Sequence, residues 1–153
     1  MNKPQKPQLH KHSVMPSCLR MPLKSKWFEM TKAGIKTEDY REINEYWTKR
    51  LFRDVDKSEL KDIIKGLQEG RSIEWAGLFH LHFLKDFEVN TMTLGYPKAN
   101  DSERILNLKH KGIKISTGNP EWGAEPNKYY YVIMHGAILA FATNVSQVCL
   151  VAD

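Results

Sequence analysis

The sequence predicts an α+β fold: an antiparallel sheet or small barrel with helices packed on one side. Three observations carry this expectation. Helical periodicity is concentrated in the first half of the chain, strand-like runs dominate from Lys85 onward, and the two kinds of element do not alternate as a doubly wound parallel sheet would require. A chain of 153 residues with 41% hydrophobic and 27% charged residues is expected to form one soluble domain with its own core.

The elements follow in order. Residues 1–17 hold three prolines, three lysines and no acid, and read as a flexible basic tail. Ser17 to Leu23 reads as a short strand. Ser25 is placed to cap a helix carrying Trp27, Phe28, Met30 and Ala33, which Gly34 stops. Lys36 to Ile43 reads as a strand, and Asn44 caps a second helix with Trp47 and Leu51 four apart. Asp56 and Glu59 have the spacing of a capping box, and Leu60, Ile63, Ile64 and Leu67 then form an apolar stripe ended by Gly70. Ile73 to Leu84 is ambiguous between helix and strand.

Beyond Lys85 the turn residues punctuate strands. Phe87, Val89 and Thr91 alternate with polar residues before Gly95-Tyr96-Pro97. Arg104 to Ser116 is the next strand, broken by Gly118-Asn119-Pro120. Pro126-Asn127 turns the chain into Tyr129 to Met134, and His135-Gly136 is expected to reverse it into Ala137 to Ala142. A last strand is expected around Val148 to Val151.

Charge is unevenly spread. The first 53 residues hold 12 Lys/Arg against five acids, a surplus of +7 that leaves −2 for the remainder. The asymmetry suits a polyanionic partner met by one face, although a solubilising surface explains it equally. No run approaches the ~18 apolar residues of a membrane span, and the N-terminus lacks the apolar core of a secretory signal. Cys18 and Cys149 are far apart and form no CxxC, so spacing indicates neither a zinc site nor a disulfide framework. The expected setting is cytoplasmic. His80 and His82 have no third ligand at a recognisable spacing, so no metal and no cofactor are expected. The absence of GxSxG, HExxH, P-loop and GxGxxG motifs argues against the enzymes that carry them.

Two stretches point further. Lys26 to Ala33 gives a helix leading into Gly34-Ile35-Lys36-Thr37-Glu38-Asp39-Tyr40-Arg41, and Gly118-Asn119-Pro120-Glu121-Trp122-Gly123-Ala124-Glu125-Pro126 leads into a strand. The first resembles the G-x-K-x-x-E-x-R signature of the ASCH family, with Asp39 where glutamate is usual. The second is similar to a segment common in phage and bacterial members of this size. The resemblance spans about residues 18–136, with 54–84 as a helical insertion and 18–153 as the domain. It implies a PUA-like β-barrel with a cleft beside the signature strand. Members are linked to RNA binding, and some bacterial ones deacetylate N4-acetylcytidine.

On a strand, Thr37, Asp39 and Arg41 share a side. Arg41 offers a planar fork for phosphate or a base edge, with Asp39 bracing it; the same pair could simply steady the barrel rim. The resemblance makes Lys36 the lysine of the amidohydrolase branch, whose threonine nucleophile is replaced here by Asp39. Glu38, Glu121 and Glu125 are candidates for that branch's glutamate. The other reading of Lys36 is an ordinary exposed lysine. Trp122, in a Gly/Pro-rich loop, either stacks a base or caps the barrel. Trp27 and Trp47 read as core. Tyr40 and Tyr46 are candidate cleft residues, and Lys49 and Arg50 candidate phosphate contacts. The leading expectation is RNA or nucleotide binding through Lys36, Tyr40, Arg41, Lys49, Arg50 and Trp122. Its rivals are a metal-independent hydrolase using Lys36 and Asp39 on acetylated cytidine or on RNA, and a protein contact through residues 54–84.

Overall fold

The computed structural model describes residues 16–71 and 84–140. Five strands form one curled sheet: β1 (Cys18–Leu23), β2 (Glu38–Glu42), β3 (Val89–Leu94), β4 (Ile105–Thr117) and β5 (Tyr129–Ile138). Their spatial order is β1-β3-β4-β5-β2. Three helices, α1 (Ser25–Lys32), α2 (Glu45–Leu51) and α3 (Leu60–Gln68), complete the described fold. The architecture is a mixed α+β half-barrel.

Alternation places one residue set on the inner face of the curl. Leu19 and Met21 on β1, Met92 on β3, Leu108 on β4, and Tyr131 and Ile133 on β5 form one core cluster. Phe28 of α1, Leu51 of α2 and Leu67 of α3 join the same cluster, so all three helices bury their apolar stripes there. Tyr131 drives its hydroxyl to Thr48 on α2 at 2.7 Å, which satisfies two buried polar groups at once.

Local chemistry explains most boundaries. Gly34 and Gly70 adopt left-handed backbone (φ 74° and 72°) just past α1 and α3. The Asn44 side chain accepts from Trp47 N at 2.9 Å and starts α2. Gly112 (φ 115°) sits where β4 and β5 shift register, and the extra residue there tightens the curl.

Several expectations need correction. The sheet is not purely antiparallel: β1 pairs in parallel with β3, as the long connection between them, which carries α1, β2, α2 and α3, permits. His135-Gly136 is no turn, because β5 runs through it, with His135 paired to His110 of β4 and its N–H donating to the Thr37 carbonyl. Lys24, not Ser25, occupies the α1 cap position, without a side-chain bond. Asp56 makes a local turn with Ser58 instead of capping α3. Cys18 is disulfide-bonded, contrary to the reading of its spacing. The expected tail through residue 15, most of the ambiguous 73–84 stretch, and the last strand lie outside the described residues. Among the described residues, no helix is long and apolar enough to cross a membrane.

The stretch holding α3 is not an appendage, because Leu60 and Leu67 are buried and Ile63 and Ile64 pack on the core. Replacing Leu67 with alanine should therefore lower global stability by about 2–5 kcal/mol. Urea unfolding followed by circular dichroism should show one transition shifted as a whole. A separate, early helical transition would mean that α3 is an independent element.

Candidate functional site

Among the described residues, β1 and β2 stand at the two ends of the strand order, and no backbone ladder joins them. Two arginines span the gap between them. Arg41 of β2 donates from Nη2 to the Pro22 carbonyl at 3.3 Å, and Arg50 of α2 donates from Nη2 to the Arg20 carbonyl at 3.1 Å. Both guanidinium groups lie over the Trp47 ring, at 4.9 and 5.9 Å from its centroid. Trp47 packs against the core, as its helical position predicts, and also serves as a platform for the two cations that span the seam.

Behind this seam lies a buried charge cluster. Lys36 donates from Nζ to Asp39 Oδ1 at 2.7 Å and to the Glu38 carbonyl at 2.6 Å. Arg41 Nη2 stands 2.6 Å from Asp39 Oδ2. The side chains of Lys36, Asp39 and Arg41 are only 1%, 8% and 16% exposed. Burial opposes ionisation of Asp39, yet the Arg41 and Lys36 cations outweigh it and hold the carboxyl below its usual range. The Arg41 contact is an ion pair and not an aligned hydrogen bond. Asp39 Oδ2 and Arg41 Nε consequently remain buried with no hydrogen-bond partner among the described residues.

A cleft of about 300 Å³ opens onto this cluster. Its walls include Trp27 of α1, Tyr40 and Arg41 of β2, Trp122 and Glu125 of the β4–β5 loop, and Tyr130 of β5. The loop is pinned. Tyr40 accepts from Asn119 N at 3.0 Å and donates to Glu38 at 3.1 Å, and Tyr130 accepts from Glu125 N at 3.0 Å. Burial pushes the Tyr40 hydroxyl up to about 12, so it stays protonated and able to donate. Gly123 (φ 95°) lets the loop touch Trp27, since a Cβ there would lie 2.8 Å from the indole. Gly118 does the same for Tyr40, whose ring would meet a Cβ at 2.8 Å.

The structure therefore brings together Asp39, Arg41, Tyr40 and Trp122 in one cleft, with Lys36 immediately behind Asp39. Lys36 is not the exposed lysine of the alternative reading. Lys49 pairs with Glu45 on the surface of α2, and Arg50 serves the seam; neither is part of the cleft wall. Tyr46 is exposed and stacks edgewise on Trp47. Glu121 is exposed on the loop, while Glu38 is half-buried beneath Tyr40. His80 and His82 lie outside the described residues.

Sequence reasoning missed three residues beneath the cluster. His110 Nδ1 lies 2.7 Å from Asn90 Oδ1, and Asn90 Nδ2 lies 2.8 Å from His135 Nδ1. The amide orientation makes His110 the donor and His135 Nδ1 the acceptor, which leaves the His135 proton on Nε2. That Nε2 is buried without a partner among the described residues. Burial holds His135 neutral, down to about 4, against the opposing pull of Asp39. The signal was present: counting by twos from Tyr131 and Ile133 places His135 on the inner face.

Compared with known proteins, the chain matches no family model, and no curated protein or solved structure matches it.

Two outcomes follow from this geometry. Asp39→Asn would leave two buried cations without their shared anion and should cost about 3–5 kcal/mol in chemical denaturation. His135 takes up its proton more readily unfolded than folded, so stability should fall as pH drops from 6.5 toward 4. The loss attributable to it is about 3 kcal/mol, and His135→Gln should flatten that part of the stability profile. An unchanged slope in this variant would place the acid sensitivity elsewhere.

Proposed function

We propose that this protein binds nucleic acid, RNA before DNA, by accepting a nucleotide in the cleft between β1 and β2. One observation carries the reading: aromatic walls from Trp27, Tyr40 and Trp122 converge on a guanidinium backed by a buried cation. Flat π surfaces stack bases without regard to sequence, and an arginine fork suits phosphate oxygens. A cleft of about 300 Å³ has room for roughly one nucleotide and not for a duplex. The resemblance of the signature strand and of the 118–126 loop to ASCH proteins supports the same reading, and the curled sheet is compatible with a small barrel of that kind.

The hydrolase alternative is less well supported. It needs Lys36 to act as a base on a substrate, but its Nζ is buried and already committed to Asp39 and a backbone carbonyl. A protein contact through 54–84 is also disfavoured for the described part of that stretch, because the apolar stripe of α3 is spent on the core.

The reading is tested by titrating fluorescent single-stranded RNA with the full chain at low and physiological salt. Affinity should fall steeply with salt. Trp122→Ala should weaken binding by about 1–3 kcal/mol, and Arg41→Gln should weaken it and reduce the salt slope by roughly one. Binding indifferent to both substitutions would remove the cleft from consideration.

A further inference from the structure

We propose that the cleft takes a nucleotide bearing a terminal phosphate monoester, free or at the end of a strand, and not an internal residue of a continuous strand. This rests on the nucleotide reading above and narrows it. The argument begins with charge. Lys36 and Arg41 share a single carboxylate, so the enclosed cluster carries one positive charge in excess. A largely desolvated excess charge favours one anion close by. Lys36 Nζ also lies 5.4 Å from the Tyr40 ring centroid and 6.0 Å from that of Trp27, which brings its charge to the cleft's aromatic walls.

The hydrogen-bond inventory agrees. Arg41 spends Nη2 on Asp39 and Pro22, while Nη1 and Nε have no acceptor among the described residues. An arginine fork with a donor to spare at the cleft matches a phosphate monoester, whose oxygens accept.

The rim has the opposite character. Glu42 and Glu125 line the cleft and share one lysine, Lys128, at 2.8 and 3.4 Å. A phosphodiester backbone leaving on that side would pass two carboxylates neutralised by a single cation, which is repulsive. The same carboxylates accept hydrogen bonds, as the exocyclic amine or ring N–H of a base requires. Positive floor, aromatic walls and acidic rim together suit one phosphate in the depth and a base edge outward.

The experiment measures binding to the full chain by calorimetry, using the four nucleoside 5′-monophosphates, the matching nucleosides, inorganic phosphate, and one RNA decamer with and without a 5′-phosphate. At least one monophosphate should bind about tenfold or more tightly than its nucleoside. Trp122→Ala should lose a similar factor while leaving the seam arginines untouched, so a folding defect does not confuse the result. Arg41→Lys should abolish the preference for monophosphate over nucleoside. If the decamer binds only when phosphorylated, the strand end is a source as well as the free nucleotide. If the decamer binds equally with and without its terminal phosphate and the monophosphates fail, this inference is overturned while the RNA reading stands. Equal affinity for nucleoside and monophosphate also overturns it. If no probe binds, both fall.

Discussion

The carboxylate of Asp39 is the constraint on which the rest of this architecture depends. It is the single anion between two buried cations, and each cation has a different structural duty. Lys36 ties the turn after α1 to the start of β2 through Asp39 and the Glu38 carbonyl. Arg41 ties β2 to β1 through the Pro22 carbonyl. Without the carboxylate, neither cation has a compensating charge in a place where water cannot supply one. The connection from α1 into β2 and the connection across the seam are therefore coupled through one side chain.

The seam follows from the sheet order. Among the described residues the strand order ends in β1 and β2, which no backbone ladder joins, and carbonyls that face the gap need partners. Here arginines take the place of a strand. Arg41 and Arg50 reach carbonyls two residues apart on β1, and Trp47 holds both guanidinium planes. Arginine suits this duty because its donors fan out in a fixed plane that can stack and bond at once. Lysine would supply charge without the stacking.

Much of this was legible in the sequence, and the reason differs by element. Helix ends at Gly34, Asn44 and Gly70 depend on local backbone chemistry, so single residues reveal them. The shared face of Asp39 and Arg41 follows from strand alternation alone. The burial of Lys36 was not legible, because it depends on how α1 and β2 bring Trp27 and Tyr40 around its ammonium end, which the local sequence does not reveal. His135 was lost for a local reason: a His-Gly pair carries a turn signal, and the pairing of His135 with β4 and its bond to the Thr37 carbonyl overrode it. Trp27 and Trp47 were read as core from helical periodicity. Both do pack against the core as that periodicity requires, and what it could not show is that each indole also meets cations at the seam and cleft. The parallel pairing of β1 with β3 has no signature in short segments, since it is decided by the packing of everything between them.

The position of the cleft is a consequence of the same closure. Where backbone pairing stops, side chains take over, and they satisfy edge carbonyls less completely than a strand would. Arg41 has five donors in its fork and meets only two acceptors at the seam. What it leaves over is hydrogen-bonding capacity beside an opening, backed by the excess charge of the Lys36–Asp39–Arg41 cluster. The loop that carries Trp122 is then held against that opening by Tyr40 and Tyr130, whose hydroxyls accept from its backbone. Structural duty and binding capacity thus reside in the same guanidinium. Substitutions at Arg41 must disturb both, whereas Trp122 contributes to the cleft without contributing to the seam, and it is the residue at which the two roles come apart.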